Sequence, residues 1–308
     1  MGMPDFFIIG APKCGTTTLY DWLGQHPQVH APHKEPCFFS QDLESTAHLP
    51  THIPTLEAYK SIFDIDNPNV LISGEATPKY LYSDEALDQI SHLRPDAKII
   101  ICLRDPVDLV ISFHNQKFRE GVEPEKDFVK AWRRSVDRTG KIICHTSTAG
   151  GHINYFFWGA IGVRLQRVFE IFPTEQVLLV TLGEIKSDPK TTYDNILAFL
   201  GIRNDGRKDF SASNTGFKIQ RPYLHRSAIL LKGKFAPVVR YLHKLRGGRG
   251  LGVLKILNLY NTAPGDYRSD VPEEVRDEIQ HVFECDSKFA EIFLQEQVLA
   301  RSHVNSKS

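Results

Sequence analysis

The fold of this chain is decided by one stretch near its amino terminus, Phe6-Phe7-Ile8-Ile9-Gly10-Ala11-Pro12-Lys13-Cys14-Gly15-Thr16-Thr17-Thr18-Leu19-Tyr20-Asp21-Trp22-Leu23. An unbroken apolar run of strand length ends at Gly10, a turn containing glycine and proline follows, and apolar residues then recur at helical spacing. The stretch therefore predicts a strand, a loop and a helix. Such a loop directs backbone N–H groups and the positive end of the helix dipole at one point, which is typical of a site for phosphate-like anions.

The loop differs from the Walker A loop that binds ATP. Gly10 and Gly15 stand at the spacing of the two glycines in G-x-x-x-x-G-K-[ST], but Thr16 occupies the lysine position. The only lysine of the loop is Lys13, which would approach an anion from another side. No apolar strand ending in a magnesium-binding aspartate follows in the usual way, so a metal–triphosphate ligand is disfavoured. We expect an anion that requires no metal ion.

Composition limits the class of protein. The chain has 308 residues, of which 41% are hydrophobic, enough for a buried core in one large or two small α/β domains. We expect a single domain over residues 1–308. Lys plus Arg equals Asp plus Glu at 37 each, so no net charge attracts the chain to nucleic acid. A polyanionic partner would need a local basic groove.

The cysteines and the apolar runs bear on the compartment. Five cysteines, an odd number, form no C-x-x-C pair, which argues against a zinc site and against a disulfide framework. The first strand begins too early for a signal peptide, and no window reaches about 18 uninterrupted apolar residues. The sequence therefore predicts free thiols, no stable membrane insertion and a cytoplasmic location. The cysteines are Cys14, Cys37, Cys102, Cys144 and Cys285.

A second anion motif follows the apolar run 97–103, which predicts a parallel strand covered on both faces. Asp105 can cap a helix that starts at Pro106. Arg104 then lies at the carboxyl end of the strand and Ser112 on the helix, so that both can face a ligand across the strand ends. A guanidinium binds phosphate bidentately and a hydroxyl adds one directed bond. The alternative makes Arg104 and Asp105 a surface ion pair.

A candidate base lies in the segment 31–54, for which we expect a long ordered loop. This segment contains Lys34-Glu35-Pro36-Cys37-Phe38-Phe39. A carboxylate held beside apolar rings has its ionised form disfavoured and can act as a general base near neutral pH. The alternative is that Lys34 and Glu35 form a solvated pair on the loop.

The motif Pro12-Lys13-Cys14-Gly15-Thr16-Thr17 resembles the 5′-phosphosulfate loop of the sulfotransferases that use 3′-phosphoadenylyl sulfate (PAPS). His26-Pro27 and the segment 34–39 resemble the Golgi carbohydrate sulfotransferases and their bacterial relatives. The resemblance spans residues 6–201 and 271–294. It implies an α/β fold, a P-loop NTPase-like three-layer arrangement with a central parallel β-sheet flanked by helices, and a nucleotide at the carboxyl ends of the strands.

The resemblance also implies residue roles. Glu35 matches the glutamate that takes the proton of the acceptor hydroxyl, and Lys13 would neutralise charge on the leaving phosphate. Arg104 and Ser112 match the pair that grips the 3′-phosphate. The residues implied to bind the donor are Pro12, Lys13, Cys14, Gly15, Thr16, Thr17, Thr18, Arg104 and Ser112, together with Lys218 and Arg221 from a loosely matching loop.

The acceptor side matches the family less well. Glu75-Ala76-Thr77-Pro78-Lys79-Tyr80-Leu81 resembles a family segment whose lysine is replaced here by Ala76, so the role of that lysine is absent or moves to Lys79. Further candidates for acceptor binding are His33, His145 and His152. The last two are also reserve candidates for the base, since relatives with small phenolic or alcohol acceptors use a histidine.

We therefore expect a sulfotransferase that moves the sulfuryl group of PAPS to a hydroxyl of a carbohydrate or glycoconjugate, leaving adenosine 3′,5′-bisphosphate and requiring no metal. One alternative is a small alcohol, phenol or lipid acceptor. More distant alternatives are a kinase-like phosphotransferase and a catalytically silent nucleotide-binding module. A membrane-anchored parent protein would place the domain in the Golgi lumen instead of the cytoplasm. The sequence leaves the oligomeric state open.

The remaining segments predict further elements. Residues 225–250 are basic without an acidic residue, and 225–265 form a possible basic helical insertion. It would be an amphipathic surface packed on the body, an acceptor-binding or membrane-touching patch, or a partly mobile segment, of which we favour the first. A frayed tail is expected over 301–308. Strands are predicted at 28–30, 70–75 and 176–182. Helices are predicted at 83–93, 116–138 with a break at 121–124, 158–172 and 188–200, and a helix or helix pair at 272–297.

Overall fold

The computed structural model of the protein describes residues 2–43, 53–139, 148–149, 152–211, 217–219, 262–264 and 271–305. Its strands form one larger sheet and two antiparallel pairs. In chain order the strands are β1 Phe6–Gly10, β2 Val29–His30, β3 Ile72–Ala76, β4 Lys98–Leu103, β5 Thr148–Ala149, β6 His152–Ile153, β7 Val177–Thr181, β8 Phe217–Ile219 and β9 Thr262–Pro264.

The main sheet has five strands in the order β2-β3-β1-β4-β7, and every pair in it is parallel. From β1 the chain goes to β2 and β3 on one side, and from β4 it goes to β7 on the other. Successive strands are therefore added in opposite directions on the two sides of the β1–β4 pair, which makes this pair the topological switch point of the sheet. Ligands of open parallel sheets bind at the carboxyl ends of the strands at such a point. β1 is buried along its whole length, as its unbroken apolar sequence predicts.

Helices flank the sheet, so the expected α/β class with a central parallel sheet is confirmed. Two single 3₁₀ turns, Pro78–Tyr82 and Thr174–Gln176, precede α3 and β7. The helices are α1 Thr16–Gly24, α2 Leu56–Ile62, α3 Asp84–Leu93, α4 Pro106–Glu120, α5 Phe128–Thr139, α6 Tyr155–Gly159, α7 Gly162–Ile171, α8 Leu182–Ser187, α9 Pro189–Leu200, α10 Glu273–Val282 and α11 Glu284–Asn305.

Local sequence signals set most helix boundaries. Asp105 accepts the N–H of Asp108 at 3.0 Å and starts α4 at Pro106, as the sequence predicts. Ser83 caps α3 in the same way. After α9, Gly201 adopts a φ of 74°, a left-handed conformation that glycine enters without the steric cost of a side chain. Short-range hydrogen bonding is sufficient to predict these boundaries.

Two predicted elements were wrong in extent. The single helix over 158–172 is divided into α6 and α7, because the carboxylate of Asp286 on α11 accepts the N–H groups of Gly162 and Val163 at 2.7 and 2.9 Å. A carboxylate at that point caps a new helix. The strand predicted to reach residue 182 ends at Thr181, which forms a capping box with Glu184 and begins α8. Both differences arise from caps that the apolar pattern does not reveal.

Several predictions fall wholly or partly beyond the described residues. Residues 31–43 are irregular, as expected, and α2 follows, but 44–52 lie outside. The possible basic insertion at 225–265 lies outside except for β9. α11 continues to Asn305, into the segment 301–308 for which a frayed tail is predicted, and the fraying stays a prediction; residues 306–308 lie outside. None of the described helices combines the length and the apolar character needed to cross a bilayer.

Candidate functional site

The donor-side candidate is the loop that joins β1 to α1 at the point where the sheet changes direction. It is fixed to the next strand by a hydrogen bond from the N–H of Ala11 to the carbonyl oxygen of Cys102 at 2.8 Å. Gly15 has a φ of 99° and no side chain with which to cap α1. Because the first-turn N–H groups of a helix have no intrahelical acceptors, those of α1 are available to an anion.

Arg104 connects the second motif to this loop. Its Nη1 donates to the carbonyl oxygen of Lys13 at 3.0 Å, and its Nη2 lies 3.5 Å from a carboxylate oxygen of Asp108. The alternative pairing of Arg104 with Asp105 is wrong, since Asp105 caps α4. The Arg104 side chain is 11% exposed, and its Nε is buried without a hydrogen-bond partner. A guanidinium has five N–H donors, and the contacts with Lys13 and Asp108 use one each of Nη1 and Nη2, so the same two nitrogens keep N–H groups for a ligand.

Lys13 lies among positive charges. Burial is the main cause that lowers the pKa of its ammonium to about 8; the charges of Arg119 and Arg104 contribute to the lowering and Glu120 opposes it. Several cations close together disfavour one another's charge, and an anion bound among them relieves that repulsion. The electrostatics of the loop therefore favour an anionic ligand, and the role of Lys13 stays a prediction.

Cys14 is structural within the loop. Its thiol is completely buried, contacts the carbonyl oxygen of Pro12 at 3.4 Å, and has its pKa raised to about 12 by burial. A buried protonated thiol is not a nucleophile. Cys14 can contribute to ligand binding only through its backbone.

Arg119 is a residue of this site that the sequence analysis missed. It lies on the last turn of α4, seven positions after Ser112, and Ser112 lies four positions after Asp108. Residues separated by four and seven positions share one face of a helix. Ser112 is half-buried and lies on the same face of α4 as Asp108, the ion-pair partner of Arg104. Arg119 lies further along this face. The spacing from Ser112 is the signal that could have identified Arg119.

A cavity of about 440 Å³ opens beside Arg104 at the carboxyl ends of β4 and β7. Its walls include Thr181 and Leu182 from the β7 end and Asp286 from α11. This volume is within the range of pockets that hold small ligands and cofactors. The sequence did not point to these wall residues, because they come from three distant segments.

The acceptor-side candidate, Glu35, is at the same edge of the sheet. Its backbone N–H donates to the carbonyl oxygen of Ala76 at 2.9 Å, and Ala76 lies at the end of β3, in register with Ile8 of β1. The Glu35 side chain is 49% exposed and forms an ion pair with Lys34 at 2.5 Å. The predicted pair of Lys34 and Glu35 on the loop therefore exists.

The prediction that apolar rings enclose Glu35 was wrong. Glu35 and Cys37 have φ values of 55° and 52°, left-handed conformations that are uncommon for residues with a side chain. The chain turns at these two positions and directs the following rings inward. Phe38 stacks on Tyr59 with ring centroids 4.7 Å apart, and Phe39 is buried. Glu35 is left at the surface.

The buried carboxylate of this region is Glu75 of β3, which accepts a hydrogen bond from Tyr59, the residue on which Phe38 stacks. Glu75 is fully buried, and burial raises its pKa to about 7 although three hydroxyl groups hydrogen-bond to it. Thr77 and Tyr80 donate to it at 2.7 and 3.3 Å, and Tyr59 donates as well. The burial of this carboxylate was not predicted from the sequence. A glutamate that ends a buried strand between apolar residues was the available signal.

The structure places the other predicted residues as follows. Thr16 and Thr18 are buried and Thr17 is half-buried in the first turn of α1. His33 and Lys79 are half-buried, and Nδ1 of His33 is buried without a hydrogen-bond partner. For Lys218 on β8 and His152 on β6 the structure gives the backbone only; His145 and Arg221 lie outside the described residues. Within the described ranges, no three His, Cys, Asp or Glu side chains are grouped as metal ligands would be.

The fold and this site define an α/β protein whose strand–loop–helix, at the carboxyl edge of a parallel sheet, has the geometry of an anion site. A family model described as the sulfotransferase domain matches residues 3–221. The chain belongs to the sulfotransferase family, which confirms the resemblance drawn from the sequence and the enzyme class that it implies.

Individual relatives agree with this assignment. The chain is 28% identical over 209 residues to human heparan sulfate glucosamine 3-O-sulfotransferase 3B1, covering 65% of this chain and 47% of the relative. It is 27% identical over 247 residues to mouse carbohydrate sulfotransferase 15, covering 65% and 44%. The chain thus spans less than half the length of these relatives. The crystal structure of a sulfotransferase from Alicyclobacillus acidocaldarius is 29% identical, with a TM-score of 0.59 over 83% of this chain and all of that one.

Proposed function

We infer that this chain transfers a sulfuryl group from PAPS to a hydroxyl of a carbohydrate. The observation that carries this inference is the hydrogen bond from Arg104 to the carbonyl oxygen of Lys13 at 3.0 Å. It joins a phosphate-binding guanidinium to the anion loop, so that one rigid unit can hold a donor with two phosphate positions.

The described residues fit such a donor. The N–H groups at the start of α1, with Thr16, Thr17 and Thr18, are available to the 5′-phosphosulfate. The remaining N–H groups on Nη1 and Nη2 of Arg104 are available to the 3′-phosphate, and Ser112 is on the same face of α4 as Asp108. The cavity beside Arg104 offers room for the nucleoside. Pro12 and Cys14 shape the loop through their backbones.

The proposed reaction is a single displacement at sulfur. The acceptor oxygen forms a bond to sulfur while the bond from sulfur to the 5′-phosphate oxygen breaks and leaves its electron pair on adenosine 3′,5′-bisphosphate. Glu35 accepts the proton of the acceptor hydroxyl. Lys13 stabilises the charge that develops on the leaving phosphate, so that positioning and electrostatics supply most of the acceleration. No residue needs to form a covalent intermediate.

A carbohydrate acceptor is supported by two observations. The matching relatives named above are a heparan sulfate glucosamine 3-O-sulfotransferase and a carbohydrate sulfotransferase. In this chain the Glu35 carboxylate is half-exposed, so a large, hydrated acceptor can reach it without entering a closed pocket. His33 and Lys79 are further polar groups for acceptor binding.

The test is an assay with labelled PAPS and a panel of glycans, glycolipids, phenols and alcohols. We expect label in a glycan, and a loss of transfer on the order of 100-fold or more in Lys13→Ala and in Glu35→Gln. Arg94→Ala, which removes a cation at the opposite edge of the sheet, serves as the control. Transfer to phenols or simple alcohols alone would overturn the carbohydrate assignment, and full turnover in Glu35→Gln would overturn the role of Glu35.

A further inference from the structure

The loop that carries Glu35 is anchored at three alternate backbone positions. The N–H of Glu35 donates to the carbonyl oxygen of Ala76 at 2.9 Å. The N–H of Cys37 lies 3.5 Å from the hydroxyl of Thr77, and the N–H of Phe39 lies 3.4 Å from the hydroxyl of Tyr80. The last two bonds are long. The three acceptors of these hydrogen bonds all belong to residues 76–80, the segment that directly follows Glu75.

The two hydroxyls can accept these N–H groups only if their own protons point elsewhere. A hydroxyl has one proton to donate and lone pairs with which to accept. Thr77 directs its proton to Oε2 of Glu75 at 2.7 Å, and Tyr80 directs its proton to Oε1 at 3.3 Å. The carboxylate of Glu75 therefore sets the direction of both hydroxyls and leaves their lone pairs facing the loop.

This arrangement holds a conformation that the loop does not favour by itself. Glu35 and Cys37 are both in the left-handed region, which costs side-chain-bearing residues free energy and persists where surrounding contacts enforce it. A fully buried carboxylate at Glu75 is also costly. Two costly features that are linked through the hydroxyl of Thr77 point to a functional requirement for the geometry of this loop, because a structural loop would need neither.

We propose that Glu75 is a positioning residue for sulfuryl transfer: through the hydroxyls of Thr77 and Tyr80 it fixes the loop that places the Glu35 carboxylate against the acceptor. This proposal rests on the role of Glu35 in the proposed function. Glu75 does not touch the acceptor, since it is fully buried behind Tyr59, which donates to it and packs against the ring of Phe39.

The chain offers a matched pair of variants. Tyr59 and Tyr80 are both buried and both donate to Glu75, but only the hydroxyl of Tyr80 accepts an N–H of the loop. Tyr80→Phe should speed amide hydrogen exchange over residues 35–39, whereas Tyr59→Phe should leave it close to that of the parent. Thr77→Val should also speed amide hydrogen exchange over residues 35–39. Thr77→Ser, which keeps a hydroxyl, should show the exchange rates of the parent protein.

Activity gives a second readout, for which the probe is a desulfated heparan oligosaccharide with labelled PAPS. In Tyr80→Phe and Thr77→Val we expect kcat to fall by about 10- to 30-fold while KM for PAPS changes by less than about 2-fold, because the donor side is untouched. In a Glu35→Gln background the same substitutions should cost almost nothing more, since residues that act through one another are not additive.

Two results would overturn the proposal. One is equal acceleration of exchange over residues 35–39 in Tyr59→Phe and Tyr80→Phe. The other is that Tyr80→Phe and Thr77→Val lower kcat by as large a factor in the Glu35→Gln background as in the parent protein. Failure of the proposed function can be told apart from failure of this proposal. If the parent protein transfers no label to the oligosaccharide, the acceptor assignment fails. The hydrogen-exchange comparison still decides whether Glu75, with the hydroxyls of Thr77 and Tyr80, anchors the loop.

Discussion

The guanidinium of Arg104 donates to the carbonyl oxygen of Lys13 at 3.0 Å, although the two residues are far apart in the sequence. This bond ties the carboxyl end of β4 to the anion loop after β1. The two motifs that we propose to bind phosphate are thus joined by a hydrogen bond, and a change in either should alter the binding of the nucleotide at both of its phosphates.

Arg104→Lys should weaken the binding of adenosine 3′,5′-bisphosphate by about 30- to 100-fold, because the single nitrogen of a lysine replaces the separate Nη1 and Nη2 of the planar guanidinium, which contact Lys13 and Asp108 and can bind phosphate bidentately. Titration calorimetry would measure the change. Arg94→Lys is the control, since Arg94 pairs with Asp5 at 2.6 Å before the first strand, at the opposite edge. Equal affinities in the Arg104→Lys variant and the parent would refute the role of this guanidinium.

The pH dependence of donor capture should report Lys13. Its pKa is lowered to about 8, so the free protein carries the charge below that pH and loses it above. We expect kcat/KM for PAPS to be constant towards neutral pH and to fall above about pH 8. Because a bound phosphosulfate favours the ammonium, kcat alone should fall at a higher pH.

Lys13→Arg provides the control for this profile, because a guanidinium keeps its charge throughout the range. The fall above about pH 8 should be absent in this variant, whatever its absolute rate. A profile identical to that of the parent would assign the titration to another group.

Gly15→Ala should abolish the binding of adenosine 3′,5′-bisphosphate, a loss that its small effect on the unfolding free energy would not explain. The φ of 99° at Gly15 disfavours any side chain, and a Cβ there would lie 2.9 Å from Ile185 and shift the loop. Gly201→Ala is the matched control, with a φ of 74° and open space around the added carbon. Both variants should lose about 1 kcal/mol of unfolding free energy. Only Gly15→Ala should lose the ligand; equal binding by both would contradict the loop assignment.

The stability of the protein should carry a contribution from Glu75 that decreases as pH rises. Burial raises its pKa from 4.5 in the unfolded chain to about 7 in the folded protein, so the folded state binds the extra proton between these values. The unfolding free energy should therefore fall by up to about 3 kcal/mol as pH increases through this window, and then level off.

Urea unfolding of the parent and of Glu75→Gln over that pH range would measure this contribution. The variant has no titrating group at this position, so the difference between the two unfolding free energies should change with pH in the window and be constant outside it. A difference that does not vary with pH would show that Glu75 ionises as in the unfolded chain.

Much of the fold follows from short-range patterns. The apolar runs of β1 and β4, the caps at Asp105 and Ser83, and the left-handed glycine after α9 were all read from neighbouring residues, because periodicity, capping and glycine conformations depend on contacts within a few positions. The exclusion of a Walker A loop depends on the single residue Thr16. These features can be predicted without a structure.

The site was predicted only in part. Lys13 and Arg104 were found because each belongs to a compact motif, and the structure brings them into contact. The burial of Glu75 and the exposure of Glu35 were not foreseen, because left-handed turns at Glu35 and Cys37 reverse which side chains face inward. A local pattern does not reveal that reversal.

The sequence by itself determined the order of strand, anion loop and helix, the absence of the ATP-type lysine, and the types of residue present at both motifs. Only the tertiary structure decided that Arg104 holds the loop of Lys13 and that Glu75, through Thr77 and Tyr80, holds the loop of Glu35. The reason is physical: these contacts join segments distant in the chain, and their geometry depends on strand order and on which carboxylate is buried.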